Sequence, residues 1–210
     1  MVTTEHAAAQ RVVLRNVSWD TYERLLHDLE DHSAPRLTFD EGTLEIMTPL
    51  LEHEIYSRFI DILLLAVEEV TATPIYNAGS TTFARPDLQK GFESDSCYYI
   101  QHGAAMRGKT RVDAQRDPPP DLVVEIDMTH STLAKLALYA QFGVPEIWRY
   151  DDGRMEILAL EGAGYHPVQQ SRVVPLLSAA ELTTLVHASG GKSQGEWWHS
   201  ARAWASEKGK

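Results

Sequence analysis

The sequence has almost no cysteine. Cys97 is the single one, so no intramolecular disulfide can form, and a reducing compartment is expected. It stands in a strand-like stretch, which predicts a buried, inert thiol. Long apolar runs are also lacking. No stretch of about eighteen apolar residues occurs, so no helical membrane span is expected. Met1 to Gln10 lacks the basic-then-apolar order of a secretory signal, and a cytoplasmic location follows as an expectation. There is no internal repeat, no long linker and no phosphate-binding glycine motif. Positive charge is scarce, with 19 Lys and Arg against 30 Asp and Glu, for a net charge of -11. Proteins that wrap nucleic acid show a basic face, because phosphate contacts supply much of the affinity. The charge balance therefore argues against tight, non-specific DNA binding. It leaves room for a local basic patch or for metal ions that neutralise a site.

What is present is ordinary for a globule: 210 residues, 43% hydrophobic and 23% charged. That length holds one α/β domain with a sizeable core, and residues 1–210 are read as a single domain. Its core runs from about 18 to 170, with a helical tail from about 178 to 205. Ser18 to Leu29 predicts a helix, with Ser18 as N-cap and Tyr22, Leu25, Leu26 and Leu29 as its apolar stripe. Arg36 to Met47 reads as a hairpin turning at Gly42. Glu54 to Val70 predicts a long helix buried along Ile55, Phe59, Ile62, Leu63, Ala66 and Val67. Pro74 to Phe83 and Ser96 to Ile100 read as strands. Asp151-Asp152-Gly153 marks a hairpin between Val144–Tyr150 and Arg154–Leu160, and Gly164 to Gln170 follows as a further strand. Ser178 to His187 predicts a helix. Trp197, Trp198 and Trp204 are spaced for a packing helix, with Ser206 to Lys210 frayed.

The chemistry concentrates after Pro118-Pro119-Pro120. Leu122 to Ile126 is a short, β-branched, apolar run that suits a strand buried on both faces. Glu125 and Asp127 interrupt it, and alternation places both on one face. Carboxylates are rarely buried unless paired or metal-bound. Two side by side repel unless a cation sits between them or one holds a proton. An acid at a strand's exposed end is the structural alternative. The next segment predicts a helix from Thr129 to Gly143, with Thr129 or Ser131 as N-cap and Gly143 at the C-terminus. Lys135 falls in its second turn. Helical side chains lean toward the N-terminus, so its ammonium can reach back over the strand end. Strand, helix, strand is the pattern of an α/β unit.

The segment Pro120 to Asp151, PDLVVEIDMTHSTLAKLALYAQFGVPEIWRYD, resembles the core of the Uma2 family of endonucleases. The likeness extends more weakly back to about Ser18. It takes in Gly42 to Pro49 with Glu52-His53-Glu54, and Gly79-Ser80-Thr81-Thr82 with Asp95 to Ile100. The resemblance implies a restriction-endonuclease-like α/β fold, a mixed β-sheet core flanked by helices with an N-terminal helix and hairpin. It also implies a PD-(D/E)xK type of site. By that resemblance Asp95, Glu125, Lys135 and Glu54 are the catalytic candidates, with Asp95 preferred over Asp87, a turn residue in a Pro-Asp loop. Asp95, Glu125 and Asp127, with the Ile126 carbonyl, are the candidate ligands of Mg²⁺ or Mn²⁺, hard cations suited to oxygen donors. The pattern departs from E-x-K at Asp127, where lysine is expected, and the resemblance passes that role to Lys135. Glu54 is equally readable as a first-turn acid favoured by the helix dipole. His53 is readable as a cap, a phosphate contact or an idle residue.

One further segment stands out. Met106 to Arg116 holds Arg107, Lys109, Arg111 and Arg116, four basic residues in an acidic chain. It would link the strands carrying Asp95 and Glu125, and is read either as a phosphate-facing loop or as a solvated one. The functional expectation is a metal-dependent endonuclease acting on nucleic acid, in first place DNA, with a homodimer as the attractive assembly. The alternative is a catalytically silent nucleic-acid-binding or oligomerising module on the same fold.

Overall fold

The computed structural model describes residues 10–30, 35–126, 134–151 and 153–209. Two sheets organise it. The first is antiparallel throughout. Its strands run in the order β1 (Gln10–Arg15), β3 (Thr43–Thr48), β2 (Arg36–Asp40), β6 (Lys90–Glu93) and β5 (Thr82–Arg85). Helix α1 (Trp19–Asp28) packs on it through Tyr22, which shares a buried cluster with Leu37, Phe39 and Leu44. Ser18 caps α1 as expected, accepting from the Thr21 N–H. The β2–β3 turn places Glu41 and Gly42 at positive φ, 43° and 89°. That is the two-residue hairpin geometry that favours glycine.

The second sheet is mixed and carries the larger core. Its order is β11 (Gly164–Val168), β10 (Arg154–Glu161), β9 (Glu146–Asp151), β8 (Leu122–Ile126), β7 (Ser96–Tyr99) and β4 (Tyr76–Gly79). Only the β8–β9 pair is parallel. A parallel pair needs a crossover, and α4 (Lys135–Phe142) lies in it. On one face lie α2 (Leu51–Thr71), α5 (Ala179–Ser189) and α6 (Gln194–Lys208), packed against Leu122, Val124, Ile126, Trp148 and Tyr150. On the other face α4 meets Val123, Cys97, Tyr99 and Ile147, together with Phe83 and Phe92 from the first sheet. All five residues of β8 are buried, as the double-faced reading requires. Cys97 is fully buried, and burial pushes its thiol up to about 12. A short helix, α3 (Gly103–Met106), follows β7. No helix of the described residues is long and apolar enough to cross a membrane.

Several elements depart from the sequence reading. A strand, β1, precedes Ser18, and its Val12 and Leu14 face outward and so give no amphipathic signal. Pro74 to Phe83 is not one strand. β4 and β5 belong to different sheets, with the chain crossing between them at Gly79, φ 60°. β6 (KGFE) is too polar to read as a strand from its pattern, yet its first three residues are buried by β2 and β5. The buried stripe of α2 includes His53, Ser57 and Ile60, whereas Ile55 is exposed. The tail helix does not fray at Ser206. It continues to Lys208, whose ammonium pairs with Glu181 of α5. Its packing on the domain matches expectation, since Trp197 is buried against α2 and donates its indole N–H to the Phe59 carbonyl at 2.8 Å. Capping boxes at Ser178 and Ser193 set the starts of α5 and α6.

Candidate active site

β7 and β8 run antiparallel with Ser96 opposite Val124 and Cys97 opposite Val123. The residues just beyond that register are Asp95 and Glu125. Asp95 precedes β7, and its Oδ2 accepts the Ile126 N–H at 2.6 Å. This bond ties the carboxylate to the strand bearing Glu125. Both acids are buried, at 5% and 7% exposure, and both are compensated as buried charges must be. Glu125 Oε2 receives Lys135 Nζ at 2.9 Å, and Oε1 receives the Tyr139 hydroxyl. Lys135 and Tyr139 are one helical turn apart on α4, so the same helix face supplies both.

Asp95 faces a second set of partners. Its Oδ1 forms an ion pair with Arg36 Nη1, at the start of β2, and lies 3.7 Å from His53 Nδ1, in the first turn of α2. Arg36 Nη2 donates to Glu54 at 3.0 Å. His53 is 1% exposed, and neither of its ring nitrogens has a hydrogen-bond partner. Burial, reinforced by the neighbouring Arg36 charge, lowers its pKa to about 4, so it is neutral at pH 7. Tyr139 is held well above the usual tyrosine range, first by burial and then by the charge of Glu125. The result is a cluster at the junction of both sheets and two helices, with two carboxylates at its centre.

The positions of the residues named from sequence can now be compared. Asp95, Glu125, Lys135 and Glu54 come together, Glu54 through Arg36 and at the half-exposed margin. Lys135 is not in the second turn of its helix. It is the first residue of α4, with Ala134 as N-cap and no side-chain cap. Asp127, Thr129 and Ser131 lie outside the described residues. Asp87 is held in its turn by Arg85, at 2.8 and 2.6 Å. Asp121, of the Pro120-Asp121 pair, is fully buried and accepts the backbone N–H groups of Ile100 and His102. It serves the turn after β7. The four basic side chains of the Met106–Arg116 segment are engaged with partners other than Asp95 and Glu125. Arg107 donates to the Tyr76 hydroxyl at 2.9 Å, Lys109 pairs with Asp117, Arg111 with Glu30 at 2.7 Å and Arg116 with Asp113 at 3.6 Å. Arg111 reaches a cavity of about 470 Å³ that Arg36 also lines.

Arg36 and Tyr139 were not singled out by the sequence reading, and His53 was given no definite role. Tyr139 carried a signal, four residues after Lys135 in an evident helix. His53 carried a weaker one, since it falls four and seven residues before Ser57 and Ile60 on the buried stripe. Arg36 carried none, because only the packing of the two sheets brings it to Asp95.

A family model described as "Putative restriction endonuclease", that of Uma2, matches residues 19–186. That span is most of the chain. The chain belongs to the Uma2 family. A crystal structure from Anabaena variabilis, described as "a putative nuclease belonging to DUF820", shares its fold. The TM-score is 0.53 at 12% identity, over 81% of this chain and 99% of that one. No curated protein matches. The restriction-endonuclease-like α/β architecture is thus shared, and this Uma2 chain stands among proteins described as nucleases.

The donor chemistry bears on the metal that such a family implies. Oδ1 of Asp95 is buried against the Arg36 guanidinium, and Glu125 supplies a second carboxylate from the adjacent strand. These are hard donors suited to Mg²⁺ or Mn²⁺. Among the described residues no group of three or more His, Cys, Asp or Glu side chains is placed to hold a metal. Two carboxylates suit a hard cation that keeps several waters, and not an all-protein cage.

Proposed function

We propose that this protein is a metal-dependent endonuclease that hydrolyses phosphodiester bonds of nucleic acid, in first place DNA. The observation that supports it most is the buried pairing of Asp95 and Glu125 across β7 and β8, with Lys135 on Glu125. Asp95, Glu125 and the Ile126 carbonyl would hold Mg²⁺ or Mn²⁺, with Asp127 as a further oxygen donor. When bound, the ion would acidify a coordinated water and offset charge developing on the phosphate. The protein's own groups do the positioning. Lys135 and Tyr139 hold the Glu125 carboxylate in one orientation, and the Ile126 N–H does the same for Asp95. Lys135 also brings a cation to where an attacking water would need orienting or a phosphate oxygen would need a counter-charge. Arg107, Lys109, Arg111 and Arg116 would contact phosphates farther along the strand by exchanging their present partners. A homodimer would allow two such sites to cut two strands.

Cleavage of supercoiled and linear DNA, with single-stranded DNA and RNA alongside, tests this reading. The assays run in EDTA, Mg²⁺ and Mn²⁺, with Glu125→Ala and Lys135→Ala as controls. The expected result is metal-dependent cutting that both substitutions abolish. Cutting that survives Glu125→Ala identifies a contaminant. No cutting of any substrate, with no metal binding by calorimetry, overturns the enzyme reading in favour of a silent module.

A further inference from the structure

Arg36 occupies the ground between two of the acids that the sequence reading gave to a catalytic site. Its Nη2 donates to Glu54 at 3.0 Å, and its Nη1 faces Oδ1 of Asp95. We propose that Arg36 is the resident counter-ion of Asp95 in the metal-free protein. A divalent cation then competes with it for Oδ1, and the guanidinium withdraws into the neighbouring cavity when the cation binds. The inference rests on the metal-dependent reading above.

Three observations carry it. Arg36 is buried, and its side chain meets carboxylates on two sides, as a cation must to be stable there. Its contact with Asp95 is made through Oδ1, as a buried ion pair. The other oxygen, Oδ2, is fixed by the Ile126 N–H. Oδ1 is therefore the atom of Asp95 left to exchange one cation for another. Finally, Arg36 lines the cavity of about 470 Å³ beside Thr82, Glu93 and Arg111, which gives the displaced guanidinium room and an acid to face. A dication at Asp95 with Arg36 still in place would set like charges against each other in a low-dielectric cluster. Withdrawal removes that conflict.

The test is Mn²⁺ titration by isothermal calorimetry near neutral pH, on the wild-type protein, Arg36→Met and Arg36→Lys. Removing the competing charge should tighten Mn²⁺ binding by about tenfold or more in Arg36→Met, while Arg36→Lys, which keeps the charge, stays near the wild type. Equal or weaker binding by Arg36→Met overturns the inference and leaves the metal reading standing. No binding by any of the three overturns both. Should Arg36→Met fail to fold by circular dichroism, nuclear magnetic resonance of the wild-type guanidinium decides. Slow rotation of Arg36 in EDTA should be released by Mg²⁺, and a signal unchanged at Mg²⁺ saturation sinks the proposal.

Discussion

Replacing Lys135 by methionine removes the ammonium 2.9 Å from Glu125 Oε2 and leaves the Tyr139 hydroxyl on the other oxygen. The two charges attract by about 6 kcal/mol at an effective dielectric of ~20. Desolvation of both side chains offsets most of that. The cost of removing one partner is larger than the net worth of the pair, because the carboxylate stays behind, 9% exposed, without its cation. Breaking such a buried pair costs about 3–5 kcal/mol, and the remaining tyrosine bond argues for the lower end, about 3. For a chain of this size each kcal/mol lowers Tm by roughly 2–4 °C, so a fall of about 6–12 °C is expected. Urea unfolding in EDTA, followed by circular dichroism, measures it. Glu125→Gln and the double variant complete a cycle whose coupling should be about 2 kcal/mol. A cost below about 1 kcal/mol with no coupling refutes the argument that α4 and β8 are joined by a desolvated ion pair.

Other predictions test separate parts of the molecule. His53 has its pKa lowered from 6.5 to about 4 by burial. The unfolded chain therefore binds a proton more readily, and stability present above pH 6.5 is lost as pH falls toward 4, up to about 3 kcal/mol. His53→Gln should flatten that decline in EDTA, and an unchanged slope refutes the assignment. Gly91→Ala would set a methyl carbon 2.2 Å from the buried Tyr22 hydroxyl. A loss of about 1–3 kcal/mol by thermal unfolding is expected, whereas wild-type stability would show that Tyr22 moves freely. Trp197→Ala empties the α2–α6 contact and removes the bond to Phe59, for an expected loss of about 3–5 kcal/mol in chemical unfolding. Neutralising Arg107, Lys109, Arg111 and Arg116 together should abolish nucleic-acid binding and its salt dependence, read by fluorescence anisotropy. Unchanged binding rules out the phosphate-facing loop.

Much of this protein could be read locally, because local rules govern the parts concerned. Ser18, Ser178 and Gly143 mark helix ends through the hydrogen bonds and positive φ that caps require. Leu122 to Ile126 announced a strand buried on both faces, and Glu125 within it announced a carboxylate in need of a partner. Lys135 could be named because the helix after that strand was evident. The residues between β8 and α4 do not encode the exact start of that helix by composition, and Lys135 came out at its first position. The division into two sheets was not legible, since β1 and β6 gain their strand character from neighbours distant in the chain. The cluster itself is tertiary. Asp95, Glu125, Arg36 and His53 come from four elements, and no periodicity links them. Of the two central carboxylates, the sequence by itself determined that Glu125 would be buried, because an acid inside an apolar strand cannot escape to water. Only the packing of both sheets against α2 and α4 decided which cations those carboxylates would face.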